Sequence, residues 1–236
     1  MLFYLDSLCF GAMAPANGIA TNNPWAGMDT IALFSMVWMF PGTGQDYPLG
    51  PGESAVIGMN AADHTTRSNL GLNLAKAHFG VYHPDLTMAA GNEIAPGVTA
   101  LIRIIPAQGN AYSFSVSSPA PVIFRPVMGV ARYLSEQGRW ERYQPGSSSG
   151  MKYWHIAKEW ILDGVDCTNA NTIGNKRFPL SVDAGFAYVS TGANSGLAVR
   201  RKVEQVLPDS RIVYQDTNNS SEDFEMNVVP NPRLKP

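Results

Sequence analysis

Apolar residues occur along this chain in short stretches, and turn residues bound nearly all of them. Phe3, Leu5, Leu8 and Phe10 alternate loosely and predict a strand over residues 2–10. Residues 11–27 are rich in Gly, Ala, Asn and Pro and read as loop. Ile31, Leu33, Phe34, Met36, Val37, Trp38 and Phe40 form a long apolar run that stops at Pro41-Gly42-Thr43-Gly44. Its β-branched and aromatic content predicts a buried strand. Pro51-Gly52 predicts a tight turn, after which a strand resumes over 53–59.

Residues 60–96 lack one clear period. Leu70, Leu72, Leu74, Ala77 and Phe79 fit a spacing of two about as well as a helical one. A short helix and an irregular insertion both stay open there. Further on, a strand is predicted over 98–105, with 111–117 (Tyr112, Phe114, Val116) as its hairpin partner. Val122, Phe124, Val127, Val130 and Tyr133 continue the β pattern over 121–134. Residues 144–150 are a polar loop. One helical turn at 157–160 leads into a strand over 161–165, and 198–206 with 211–215 reads as the last strand pair around Pro208-Asp209.

These elements predict a mainly β protein: an antiparallel immunoglobulin-like β-sandwich with long loop insertions, around 60–96 and 135–155, and little helix. No repeat, heptad or linker divides the chain, so residues 1–236 read as a single elaborated domain. Charged residues make up 15%, below the roughly 25% usual in globular proteins, while Gly (22) and Pro (17) are plentiful. That balance fits a loop-rich exported protein. A net charge of −2 offers no basic excess for nucleic acid. No run reaches the about 18 apolar residues of a membrane span. Met1 is followed at once by Leu2-Phe3-Tyr4-Leu5, without a basic leader, and the expectation is that a native N-terminal segment is missing. Cys9 and Cys167 allow one long-range disulfide or two separate buried thiols.

Candidate chemistry is sparse. Gly146-Ser147-Ser148-Ser149-Gly150 has the spacing of a nucleophile elbow but lacks the strand before and helix after that such an elbow needs, so it reads as a flexible loop. His64, His78, His83 and His155 show no metal-ligand spacing. Asp163 and Asp183 offer a catalytic carboxylate pair, but each stands by a glycine that equally marks a turn or strand end, and nothing in the sequence places them together. Trp25, Trp140 and Trp154 lie in polar contexts and are candidates for an exposed glycan-binding platform, whereas Trp38 and Trp160 lie in apolar runs and belong to the core. Asp216, Asn218, Asn219, Glu222 and Asp223 form an oxygen-rich cluster with two readings. One is a calcium site, though without the EF-hand spacing. The other is a turn whose acids pair across strands with Arg200, Arg201 and Lys202.

Several blocks resemble a Bacteroidetes family known as domain of unknown function 4876. They are Leu5-Asp6-Ser7-Leu8-Cys9, Val37-Trp38-Met39-Phe40-Pro41-Gly42-Thr43-Gly44-Gln45-Asp46-Tyr47-Pro48-Leu49, Pro51-Gly52-Glu53-Ser54, Trp160-Ile161-Leu162-Asp163-Gly164-Val165 and Asp183-Ala184-Gly185-Phe186. The closing block is Arg200-Arg201-Lys202 with 215–224. The layout is similar to a lamin-tail-like domain, where a Pro-Gly-Glu turn precedes a strand and an Arg strand precedes an Asp/Asn-rich turn ending in Asp223-Phe224. The resemblance implies an exported module at the cell surface or in the periplasm, with an upstream segment carrying an export or lipoprotein signal. It implies no activity and no catalytic residues. The expectation is a non-enzymatic binding or structural protein whose partner is a protein or glycan. The alternatives are a carbohydrate-binding module using the three tryptophans and a calcium-binding accessory domain of a secreted phosphoesterase or nuclease.

Overall fold

The structure is a computed structural model; it describes residues 2–18, 23–34, 36–66, 71–86, 88–89, 93–106, 111–112, 115, 118–148 and 150–232. Short strands dominate, most pairs run antiparallel, and helices are few and short. The chain divides into two compact units. Unit 1 comprises Met1–Ser7, Trp38–Ser113 and Asn231–Pro236; unit 2 comprises Leu8–Val37 and Phe114–Pro230.

In unit 1, Phe3–Tyr4 pairs antiparallel with Pro48–Leu49. Ile57–Gly58, Phe79–Gly80 and Thr99–Ala100 stack as a three-rung parallel sheet. The strand predicted over 53–59 therefore shrinks to two residues. The hairpin predicted for 111–117 takes another form: Ala111–Tyr112 pairs in parallel with Met88–Ala89. Phe114 and Val116 lie outside the described residues, as do Asn69 and Leu70 of the ambiguous segment.

In unit 2, Pro121–Phe124 is the centre of an antiparallel trio, with Cys9–Ala12 on one side and Ile161–Gly164 on the other. Lys152–Ala157 lies between Glu141–Tyr143 and Thr30–Ala32. The β pattern predicted through residue 134 stops at Phe124. Val130–Ser135 and Gln137–Trp140 are helical instead, because Pro126 and Gly129 end the strand and Tyr133 and Trp140 then face one core. The helical turn expected at 157–160 is present as Lys158–Trp160. The final strand pair is present between Val203–Val206 and Ile212–Tyr214, while Ala198–Arg201 instead pairs with Phe224–Val228. The long N-terminal strand is divided between Phe3–Tyr4 and Cys9–Ala12, and the break falls at Asp6 and Ser7, where Ser7 has a φ of 59°.

Candidate functional site

Asp6 sits at that break and is only 5% exposed. Its Oδ1 accepts the N–H groups of Gly44 and Asp46, and its Oδ2 that of Tyr47, all at 3.0 Å. Burial works to raise the Asp6 carboxyl, but these backbone donors outweigh it and hold the group below its ordinary range. Gly42 makes the approach feasible. Its φ is +113°, and a Cβ there would lie 2.0 Å from Asp6 Oδ1. Asp46 Oδ2 closes the loop by accepting from the N–H and hydroxyl of Thr43 at 2.8 and 2.9 Å.

The next turn runs from Gly50 to Glu53. The Glu53 N–H donates to the Gly50 carbonyl at 3.0 Å, and the Gly50 N–H donates to Glu53 Oε2 at 2.6 Å. Pro51 and Gly52 (φ +81°) occupy the two central positions in the order a type II turn requires. Loop and turn together wall a cleft of about 620 Å³, lined among others by Leu5, Asp46, Tyr47, Glu53, His78 and Phe79. Phe79 packs edge-on to Phe40 and Tyr47, with ring centroids at 4.7 and 5.3 Å. The Val56 N–H donates to His78 Nδ1 at 3.1 Å, so the neutral imidazole carries its proton on Nε2. Among the described residues, no Lys or Arg lines the cleft. Asp46 and Glu53 are both exposed, and neither has a cationic partner among the described residues.

The C-terminal motif in unit 2 is built differently. Asp183, 1% exposed, accepts the N–H groups of Asp166, Gly185 and Ser220 and the Ser220 hydroxyl, at 2.6 to 3.0 Å. Asp166 accepts the Lys176 ammonium at 2.7 Å and the N–H groups of Arg177 and Phe178 at 2.9 Å. Both side chains of the Lys176–Asp166 pair are fully buried. Burial is the largest influence on the Asp166 carboxyl and raises it, against the nearby ammonium and amides. Asp223, 2% exposed, accepts from the N–H and hydroxyl of Thr217 and from the N–H of Asn219. Burial alone would raise this carboxyl, but those donors hold it low.

Asn219 caps the helix Ser220–Asp223 by accepting the Ser221 N–H. Asn218 bends the chain with a φ of 56°. The basic strand meets this turn directly. Arg201 reaches Asp163 at 2.7 Å and Asp216 at 3.2 Å and lies over the Phe224 ring. Arg200 pairs with Glu225, and Lys202 Nζ donates to the Glu222 carbonyl. Asp163 and Asp183, unplaced by sequence, line the same small void of about 10 Å³ with Asp216 and Asp223. All four carboxylate oxygens of Asp183 and Asp223 already accept internal donors. No group of three or more His, Cys, Asp or Glu among the described residues has the arrangement to hold a metal ion.

The tryptophan platform requires correction. Trp25 is 2% exposed and Trp140 4%, so neither presents a ring face to solvent. Trp25 stacks edge-on to Tyr153 and His155, and Trp140 packs on Trp160. Trp154 is half-buried against Tyr133, whose hydroxyl donates to the His155 carbonyl at 2.9 Å. Polar sequence neighbours here mark strand edges and turns, while the indoles turn inward. Cys9 and Cys167 are free thiols, and burial pushes both up to about 12. Sequence does not single out Asp6, Asp166 and Lys176, because their donors and acceptors lie 9 to 41 residues away.

Fold and sites thus define a mainly antiparallel β protein that uses buried carboxylates to lock its loops. The chain belongs to the family described as Protein of unknown function (DUF4876), whose pattern matches residues 50–231. It is similar to a DUF4876 family protein of known crystal structure from Bacteroides thetaiotaomicron, at 26% identity and a TM-score of 0.79. The likeness covers 98% of this chain and 64% of that one, so the chain spans less than two thirds of that protein's length. No curated protein matches the chain. Among the described residues, no helix is long and apolar enough to cross a membrane.

Proposed function

We propose that this protein is a non-enzymatic exported module of the cell surface or periplasm, and that the unit 1 cleft binds part of another macromolecule. One observation carries the reading. Two adjoining loops, one locked by Asp6 accepting three backbone N–H groups and the other by Glu53 accepting one, hold open a cleft with an aromatic wall. Three groups there that are capable of proton transfer each give one acceptor atom to the walls: His78 accepts from Val56, Glu53 from Gly50 and Asp46 from Thr43. Unit 2 is read as an immunoglobulin-like, lamin-tail-like sandwich, a reading favoured by its antiparallel strands and by the contact between the basic strand and the acidic turn.

Arrays of surface glycans and short peptides, probed with the wild-type chain and with Tyr47→Ala, test this directly. The expected result is binding that the substitution abolishes, with no turnover in a broad hydrolase panel. Robust turnover abolished by one substitution in the cleft would overturn it.

A further inference from the structure

The cleft combines three kinds of surface within one volume. Tyr47 supplies a half-buried aromatic ring, with the buried Phe79 ring packed edge-on against it. Leu5, Pro48, Leu49 and Ala55 supply aliphatic contact. Asp46 and Glu53 supply carboxylates at exposed positions, and no lining residue among those described is a lysine or arginine. Each of these two carboxylates has one oxygen committed to its own loop, Asp46 Oδ2 to Thr43 and Glu53 Oε2 to Gly50. Asp6, held ionised by three amides, adds negative charge behind the loop that carries Asp46 and Tyr47.

From the proposed binding role of this cleft, we infer its ligand class: a peptide segment presenting a lysine or arginine side chain flanked by apolar residues. Such a side chain has an apolar stem and a charged tip, so it lays its methylenes on the Leu49 and Pro48 surface and its cation between ring and carboxylate. A neutral apolar side chain satisfies only the aliphatic part. An acidic one meets like charge at both carboxylates. A volume of about 620 Å³ accommodates a short peptide stretch.

The test uses the full chain, labelled for amide NMR. The probes are a capped tripeptide with lysine between two leucines, its norleucine isostere and its glutamate counterpart. The lysine peptide should shift the Gly44, Asp46, Tyr47 and Glu53 amides and bind at least tenfold more tightly than the isostere. Its affinity should fall severalfold between low and high salt. Asp46→Asn and Glu53→Gln each keep an acceptor oxygen for the loop, and each should weaken it severalfold. If the norleucine or glutamate peptide binds as well as the lysine peptide, the charge assignment is overturned while binding at the cleft stands. If no peptide shifts these amides, this inference fails; if glycan and peptide arrays also stay blank, the binding role fails with it.

Discussion

Asp6 in unit 1 and Asp183 in unit 2 act alike on the chain around them. Each is a buried carboxylate that accepts several backbone N–H groups and fixes a loop lacking a ladder of its own. The outcomes differ. Around Asp183 a second layer closes in: Ser220 donates twice, Asp166 carries its own ammonium, and about 10 Å³ remains. Around Asp6 the loop is held from one side only, and its other side faces a cleft of about 620 Å³. The number of acidic residues in a motif therefore says little about ligands. What counts is whether the carboxylate oxygens are already taken by internal donors and whether the backbone leaves space beside them.

The comparison breaks most visibly at Lys176. Lys176→Met strands Asp166 in a dry interior and should cost about 3–5 kcal/mol in denaturant unfolding. A loss under about 1 kcal/mol would mean that the amides of Arg177 and Phe178 suffice alone.

Acid next separates the sheet around His155 from the loops held by Asp6 and Asp223. His155 is fully buried, and burial, helped by Arg142, depresses its imidazole to about 4 from an ordinary 6.5. The unfolded chain takes up that proton more readily. The stabilising contribution of neutral His155 is therefore complete above pH 6.5 and lost as pH falls towards 4, about 3 kcal/mol in all. Asp6 and Asp223 have lowered values, so their contributions hold above 3.8 and are lost only as pH falls further. Hydrogen exchange between pH 7 and 4 should show the sheet around His155 loosening before the 42–47 loop, and His155→Gln should flatten that dependence.

Gly42→Ala should cost about 2–3 kcal/mol and displace the Gly44 and Tyr47 amides, because the new methyl group meets Asp6 in a left-handed backbone position. Unchanged amide spectra would show that the cradle does not depend on that approach. Asn219→Ala removes a single cap and should cost about 1 kcal/mol in thermal melting. Smallest of all, Arg200→Ala breaks an exposed pair with Glu225 and should change stability by less than about 0.5 kcal/mol.

Sequence made the local half of this molecule legible. The strands at 121–124 and 161–164, the turn at 50–53 and the closing strand pair follow from alternation and from Pro and Gly placement. The rest depends on distant partners. Asp6 finds its donors some forty positions on, and nothing in residues 2–10 marks it as an acceptor rather than a strand residue. Val130 and Tyr133 continue the β spacing in sequence, and the helix that replaces it depends on Tyr133 packing against Trp140, Trp154 and Trp160. Of the oxygen-rich turn, the sequence left metal and structural readings both open. Asp183 adjoins a turn in sequence, but nothing there shows that Ser220, 37 residues on, donates to it twice.

The three parallel rungs at Ile57, Phe79 and Thr99 have a kinetic consequence. Each rung contributes only a two-residue ladder, yet forming it requires closing a segment of roughly twenty residues, an entropic outlay of several kcal/mol that one rung cannot recover. The rungs must therefore assemble together. Unit 1 should fold late and in one cooperative step, and lengthening a segment between rungs should slow that step while leaving the finished stack unchanged.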